Sequence, residues 1–407
     1  MKTAIDLFAG AGGLSEGLRQ AGYRVVFASE LSEAHSLTHQ ANHSETEVST
    51  GDIRDVDAAQ VRKRLGLKKG ELDLVAGGPP CQGFSVNAPI RSTDDTRNHL
   101  FLQFLRFVSE FNPKAVLIEN VPGMVSYEKG QTVTAILDSL QQLGYKAAVK
   151  ILYAPHYGVP QMRWRTVFLA NRVGVDPLKM FPHPTHYAVG RANFTTRYLG
   201  QSLVVSPLSF TDLPPQVTVA DAIIDLPPID NGGGLDEMDY STPANSQYQS
   251  GLRSGAKKVF NHQCAGLGNV NLQRLPHIPQ GGSWRDIPFD ILPAGMKRAR
   301  RSDHTKRYGR LALDGIASTI LTKCDPHWGT YIHPTQDRII SIREAARFQS
   351  FPDSFRFFGS MSDKYEQVGN AVPPHLARCV AVAISDAVDG LTKRESIYGH
   401  PQYQFQL

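Results

Sequence analysis

Through about residue 170 the chain alternates short apolar runs with segments of helical periodicity, the pattern that a parallel sheet wrapped by helices imposes on its sequence. Ala4-Ile5-Asp6-Leu7-Phe8 predicts a first strand within Thr3–Phe8, and Gly10, Gly12 and Gly13 follow it. A helix then carries Leu14, Leu18 and Ala21 on one face and stops at Gly22. Arg24–Ser29 predicts a second strand ending at Glu30, and a third precedes Gly51-Asp52-Ile53. Leu72-Asp73-Leu74-Val75-Ala76 is strand-like and runs into Gly77-Gly78-Pro79-Pro80-Cys81-Gln82-Gly83-Phe84-Ser85. Leu100, Phe104, Leu105 and Val108 give a helix that ends before Pro113. Ala115–Ile118 is a buried strand ending at Glu119-Asn120, and Val133, Ile136, Leu137 and Leu140 form a helical stripe closed by Gly144. Ala147–Tyr153 and Thr166–Ala170 are two more strands.

In open α/β sheets, ligands gather outside the carboxyl ends of the strands. The glycine turn after the first strand can bring backbone N–H groups and a helix N-terminus close to a cofactor. It has no lysine in P-loop spacing and lacks the GxGxxG order, so a nucleoside without a pyrophosphate fits better than ATP or NAD. Glu30 is the expected partner for two ribose hydroxyls, and Asp52 for an adenine amino group. At Cys81, two prolines fix φ before the thiol and glycines on either side allow close approach. A sulfur held so reads as a nucleophile, although burial in a tight loop is the commoner fate of cysteine. Glu119 ends the next strand of the same sheet. A thiolate attacking an electron-poor ring carbon while a carboxyl group protonates a ring nitrogen is coherent catalysis. Gln161, Arg163 and Arg165 alternate before a strand and share one face of extended backbone, where arginine can hold a carbonyl oxygen or neighbouring backbone.

Composition limits the setting more than the chemistry. At 407 residues the chain suits two domains, or one with a large insertion. From about Pro182 to Pro334 it turns rich in Gly, Pro, Ser and Asn while keeping its aromatic residues, which predicts irregular strands and loops and not disorder. Regular patterning returns at Ile339–Phe348 and in a last helix from Pro374 to Val388. The net charge of +5 says little, but seven Lys/Arg residues crowd Met296–Arg310 against Asp303 alone, an excess suited to phosphates. Cys81, Cys264, Cys324 and Cys379 form no CxxC pair, which argues against a disulfide framework and a structural zinc site. No apolar run approaches membrane-spanning length, and Met1-Lys2 leads straight into a strand without room for a signal peptide. The expectation is an intracellular, reducing environment without membrane attachment.

The motifs in this order resemble those of the DNA (cytosine-5) methyltransferases over nearly the whole chain. Asp6–Gly13 resembles that family's S-adenosylmethionine loop, Gly77–Ser85 its nucleophile motif, Glu119-Asn120-Val121 its base-binding carboxylate and Gln161–Arg165 its QxRxR element. Arg343–Gln349 with Phe351-Pro352-Asp353 resembles the motif closing the target-recognition region, and Gln367–Pro374 the last motif, which packs beside the first. The resemblance implies a Rossmann-like S-adenosylmethionine-dependent methyltransferase sheet with an inserted, smaller, irregular target-recognition domain. It divides the chain into a catalytic domain (1–181), a target-recognition domain (182–334) and a C-terminal segment returning to the catalytic domain (335–407). It also implies that Cys81 adds to C6 of a flipped cytosine, Glu119 engages N3 and the exocyclic amine, and Arg165, with Arg163 behind it, holds O2. The implied S-adenosylmethionine contacts are Phe8, Ala9, Gly10, Gly12, Gly13, Glu30, Asp52, Ile53, Pro79, Leu100 and Asn370. Val86–His99 resembles the mobile catalytic loop, which makes Arg91 and Arg97 phosphate contacts and Ser85 a group reaching into the space the base leaves. No metal is implied.

Sequence readout falls by elimination between Pro182 and Pro334. Gln280–Asp286 and the basic run Lys297–Arg310 are the candidates for DNA contact, naming Arg285, Lys297, Arg298, Arg300, Arg301 and Arg310, with Gln161 beside them. Arg310 could equally be a structural hinge residue. Trp284-Arg285-Asp286 and Tyr308–Leu311 resemble the eukaryotic maintenance-type enzymes, but the chain starts at the cofactor loop, which points to a bacterial-type stand-alone modification enzyme. The expected partners are double-stranded DNA and a restriction endonuclease encoded separately, the expected state a monomer, and the expected location the cytoplasm, at the nucleoid. Two rival readings keep the fold. One is the same chemistry on tRNA, against which stands the sizeable basic recognition region. The other is a non-catalytic DNA-binding paralogue, which needs a broken site although Cys81, Glu119, Arg163 and Arg165 are all present. An NAD- or flavin-dependent oxidoreductase shares only the first glycine loop.

Overall fold

In the computed structural model residues 1–80, 99–207 and 212–390 are described, so that Cys81, Ser85, Arg91 and Arg97 lie outside the described residues. The chain divides into two compact units. The first comprises described residues of Met1–Tyr157, Trp164–Pro215 and those from Val372 onward; the second comprises Gly158–Arg163 and Gln216–Ala371.

In the first unit the apolar runs form strands because they are buried on both faces, and the amphipathic segments between them form the covering helices. The order is β1 (Lys2–Leu7), α1 (Gly13–Gln20), β2 (Tyr23–Glu30), α2 (Glu33–Asn42), β3 (Glu47–Thr50), α3 (Ala58–Arg64), β4 (Leu74–Gly77), α4 (His99–Phe111), β5 (Ala115–Asn120), α5 (Gln131–Gln142), β6 (Lys146–Tyr153) and β7 (Trp164–Asn171). Polar caps mark the starts: Ser32 accepts from the His35 amide at α2, and Asp57 from those of Ala59 and Gln60 at α3. The strands lie in the order β3-β2-β1-β4-β5-β7-β6. The first five run parallel, with Gly77 of β4 opposite Ile118 of β5. The parallel pattern ends at β7, which inserts antiparallel between β5 and β6. The connection from β6 to β7, residues 154–163, carries one 3-10 turn where a parallel crossover needs a helix-sized segment.

Ile5, Leu7, Val75, Val116 and Ile118 pack with Phe104, Phe107 and Phe111 of α4 in one fully buried cluster. Each such side chain contributes roughly 1.5–3 kcal/mol relative to exposure. Elsewhere α1 meets the C-terminal helix Pro374–Asp389, and the approach is so close that a Cβ on Gly17 would sit 2.4 Å from that of Ala377. This unit therefore holds its parallel strand ends, and the loops that follow them, on a rigid base.

The second unit has few long elements. It contains an antiparallel ribbon (Gly234–Met238 with Val259–Gln263), a short parallel pair (Gly309–Arg310 with Thr330–Ile332) and the helices Ile342–Phe348 and Met361–Asn370. Leu275, Ile278, Trp284, Ile287, Met296, Tyr308 and Ile332 form one apolar cluster. Much of the remaining interior is ionic. Arg338 grips Glu344 through two bonds of 2.7 Å, and Arg347 pairs with Asp225 and Asp353, all of them buried. Such pairs contribute little net stability, but losing one partner leaves a buried charge. Cys264, Cys324 and Cys379 are buried and form no disulfide among the described residues, where no helix is long and apolar enough to cross a membrane.

Candidate active site

The chemistry-bearing residues of the first unit collect where the parallel strands end. After β1 the chain turns through Phe8, which sits at φ 60°, and Gly10, at φ 57°. A left-handed Phe is a genuine outlier that persists only where its surroundings enforce it. Gly12, at φ 96°, has no room for a side chain, since a Cβ there would lie 2.9 Å from ring atoms of His39 and of His43. The Ala9 amide donates to Ser29 O at 3.0 Å, and Gly13 opens α1. Glu30 accepts from the Gly10 amide at 2.8 Å and the Ser32 amide at 2.9 Å, one per carboxylate oxygen. That leaves further lone pairs for hydroxyl donors. Leu31 beside it is 71% exposed, an apolar side chain next to the polar anchor.

Asp52 is committed differently from expectation. Its carboxylate caps the turn Ile53–Asp55 by accepting from the Arg54 amide, and it also binds the Arg54 guanidinium. Arg54 holds the Asp52 carboxyl below its usual range. Ile53 is buried, and Leu100, at the start of α4, packs against the core. Asn370 is exposed at the end of its helix in the second unit.

Beneath the glycine turn lies a buried polar chain. Ser15 Oγ donates to Asp6 Oδ2 at 2.7 Å and lies 2.9 Å from His39 Nε2, whose ring is tilted against that of His43 with centroids 4.7 Å apart. Burial raises the Asp6 carboxyl to about 7, against the Ser15 hydrogen bond and helped by repulsion from Glu30. Burial, with His43 alongside, lowers His39 to about 3. Asp6 Oδ1 is buried without a hydrogen-bond partner among the described residues. This polar chain carries little signal in the amino-acid sequence. Its only signal is the serine two residues into α1 together with the i, i+4 histidines of α2.

The pairing of Glu119 with Arg165 is set by register. Glu119 of β5 stands opposite Val167 of the antiparallel β7, so Arg165, two residues earlier on β7, is its diagonal neighbour on the same sheet face. The two form an ion pair, with side chains 13% and 10% exposed. Burial presses the Arg165 pKa down, and Glu119 opposes it. Arg165 Nη1 also donates to Trp164 O at 2.9 Å. A Cβ on Gly78 would lie 3.3 Å from Glu119 Oε2, so this glycine leaves the carboxylate its place. Asn120 donates through Nδ2 to Pro79 O at 2.8 Å, tying the Gly-Gly-Pro-Pro turn after β4 to the end of β5. In the sequence the one signal for Asn120 is its place beside Glu119.

Two residues expected at DNA hold other partners in the structure, Arg310 in line with the structural role that its sequence left open. Gln161, expected at DNA, is fully buried in the second unit. Its amide donates to Phe348 O and Gln349 Oε1 and accepts from the Ile320 amide. Arg310 spends all five guanidinium N–H groups inside the same unit, on the carbonyls of Leu275, Ile278, His333 and Gln336 and on the carboxylate of Asp337. It has no donor left for a phosphate or a base. Arg163 donates to the carbonyls of Ile320, Gly369 and Ala371, the neighbouring-backbone option of the sequence reading. By contrast Lys297, Arg298, Arg300 and Arg301 are exposed, and the buried Arg285 Nε has no hydrogen-bond partner among the described residues.

Comparison with known proteins follows the same lines. The family model for C-5 cytosine-specific DNA methylase matches residues 2–386. The type II methyltransferase M.AgeI of Thalassovita gelatinovora is 36% identical over an alignment covering 95% of this chain and 100% of that protein. The DNA (cytosine-5)-methyltransferase PliMCI of Paracentrotus lividus is 32% identical over 96% of this chain but only 29% of its own length. Among solved structures, a prophage-encoded DNA modification methyltransferase (E. coli) aligns with a TM-score of 0.71 at 24% identity, over 96% of this chain and 100% of that one. At that identity the likeness speaks for the fold alone, a Rossmann-like methyltransferase sheet.

Proposed function

The chain belongs to the C-5 cytosine-specific DNA methylase family, as an enzyme of the DNA (cytosine-5-)-methyltransferase class, and we propose that it methylates C5 of a cytosine flipped out of a specific duplex sequence. The observation that carries this reading is the Glu119–Arg165 pair, half a site waiting for a ring with a nitrogen and a carbonyl side by side. A stacked base cannot reach a strand end inside a protein, so the target must leave the helix.

Cys81 attacks C6 as thiolate and forms the S–C6 bond, while the ring's electron pair shifts toward N3. Glu119 holds the proton at N3 and accepts from the exocyclic amine, and Arg165 donates to O2, where negative charge develops. C5 thereby becomes nucleophilic. After methylation, loss of the C5 proton and departure of Cys81 restore the aromatic ring. Asn120 positions the thiol's turn through Pro79, and Gln161 and Arg163 brace the segment that precedes Arg165.

The residues present fit S-adenosylmethionine. Glu30 keeps lone pairs for two ribose hydroxyls, and Leu31 offers an apolar face to a purine. Repulsion from Glu30 helps burial to raise the proton affinity of Asp6, so two carboxyl groups lie close together here, as suits a cationic group. When bound, S-adenosylmethionine would supply an electrophilic methyl group. Phe8, Ala9, Gly10, Gly12, Gly13, Ile53, Pro79 and Leu100 would complete its surroundings, and Asp52 would join them only by sharing its carboxylate with Arg54.

The second unit would read the duplex, with Arg285, Lys297, Arg298, Arg300 and Arg301 as contacts; Ser85, Arg91 and Arg97 would be further DNA contacts. A separately encoded restriction endonuclease is the partner suggested by the M.AgeI likeness. The enzyme would act as a monomer at the nucleoid. The test is covalent capture on a duplex carrying 5-fluorocytosine, which cannot lose a C5 proton. Wild type should be trapped and Cys81→Ser should not; equal trapping of both overturns the nucleophile assignment. Parallel incubation of labelled cofactor with genomic DNA and with total tRNA separates the rival substrate.

A further inference from the structure

Of the chain's three tryptophans, two have packing to explain them. Trp164 stacks on Tyr153 with ring centroids 4.2 Å apart and meets Phe194 edge-on at 5.6 Å. Trp284 is 3% exposed in the core of the second unit. Trp328 is 63% exposed, yet the turn that carries it is held firmly. Its amide donates to Asp325 O at 2.9 Å, and Pro326 O accepts from the Tyr308 amide at 2.6 Å. Tyr308 Oη and His327 Nε2 are 2.6 Å apart, with His327 Nδ1 2.9 Å from Asp325 Oδ1. Gly329 then lets the chain pass the Tyr331 ring, from which a Cβ would be only 2.7 Å away. A large aromatic on a braced turn is ready to contact a partner without an ordering cost.

The neighbourhood specifies the partner's charge. Tyr308 closes the basic run, and the Arg307 guanidinium lies 5.4 Å from the centre of the Trp328 ring. In the same run Lys297, Arg298, Arg300, Arg301 and Lys306 are exposed, and Phe289, 65% exposed, carries Lys297 Nζ 5.3 Å above its ring. Exposed aromatics interleaved with cations match a polymer of phosphates and π-faced bases better than an apolar protein surface.

We propose that Trp328 contacts the bases of the target duplex and contributes to sequence choice, with Arg307 beside it on the phosphate backbone. This rests on the reading of the chain as a duplex-DNA methyltransferase. The target site is first mapped by bisulfite sequencing of plasmid from an expressing host; a short duplex bearing that site and a scrambled one are then the probes. Trp328→Ala should weaken binding of the site-bearing duplex by about 10- to 100-fold, with much less effect on the scrambled one. Trp328→Phe should restore most of the affinity. Melting temperature and S-adenosylmethionine affinity should stay at wild-type values in both. DNA should quench tryptophan emission in wild type, and Trp328→Phe should abolish that quench although Trp164 and Trp284 remain. Arg307→Ala should reduce the slope of log affinity against log salt by about one, and Trp328→Ala should leave it unchanged. Unaltered binding by Trp328→Ala, or equal loss on both duplexes, overturns the base contact. A change in self-association without one in DNA affinity overturns it in favour of a second copy of the chain. If wild type methylates no DNA, the functional reading itself has failed, an outcome distinct from these.

Discussion

Glu119→Gln separates the chemistry proposed for the Glu119–Arg165 pair from its contribution to stability. The substitution keeps shape and removes charge, leaving Arg165 with the Trp164 carbonyl as its partner. For unit charges about 4 Å apart at an effective dielectric near 20, the lost attraction is about 4 kcal/mol. Relief of the carboxylate's desolvation returns part of it, so the net destabilisation should be about 1–3 kcal/mol. Denaturant unfolding measures this, and the double variant Glu119→Gln/Arg165→Gln should lose less than the sum of the singles, because neither then leaves a lone buried charge. The turnover effect should be far larger. A positioned acid contributes about 10²–10⁴-fold, so single-turnover methyl transfer should fall by that factor while cofactor affinity holds. A variant that keeps methyl transfer within tenfold of wild type while showing the expected stability loss would refute the assignment and leave Glu119 a structural partner of Arg165.

Gly12→Ala places a Cβ at φ 96° and 2.9 Å from two histidine rings; it should destabilise by about 2 kcal/mol or more and weaken cofactor binding, as calorimetry would report. Asp6 carries a pH signature. Its carboxyl titrates at about 7 when folded against 3.8 ordinarily, so between those values the folded state holds a proton the unfolded state has lost, and this group's contribution to stability declines as pH rises. Below about 7 it is also neutral and attracts a cation less, so S-adenosylmethionine should bind more weakly at pH 6 than at pH 8 in wild type; an equal pH dependence in Asp6→Asn would reject Asp6 as its source. Arg310→Ala, which strands the carbonyls of Leu275 and Ile278, should lower the melting temperature, whereas Arg298→Ala should leave it alone and cut the salt slope of DNA binding by about one.

The elements legible in the sequence were those that depend on neighbours along the chain. Apolar runs marked the strands, Gly22 and Gly144 marked helix ends, and the stiff Gly-Gly-Pro-Pro turn marked Cys81, because each signal acts within a few residues of its cause. Residue type likewise made Glu30 a hydrogen-bond acceptor at the end of β2, where it now takes two amides.

Partner choice was a different matter. Gln161, Arg163 and Arg165 alternate identically in sequence, yet Gln161 locks onto Phe348 and Gln349, Arg163 onto Gly369 and Ala371, and Arg165 onto Glu119. Arg310 lies in the same basic run as Arg298 but meets four carbonyls from two separate stretches of the chain. The antiparallel β7 places Arg165 diagonally from Glu119, and a register shifted by one residue would put them on opposite faces. The amino-acid sequence by itself determined which residues could do chemistry and which segments would form strands. Only the tertiary structure decided which of those groups keep free donors and acceptors, because burial and hydrogen-bond satisfaction are set by residues far away along the chain.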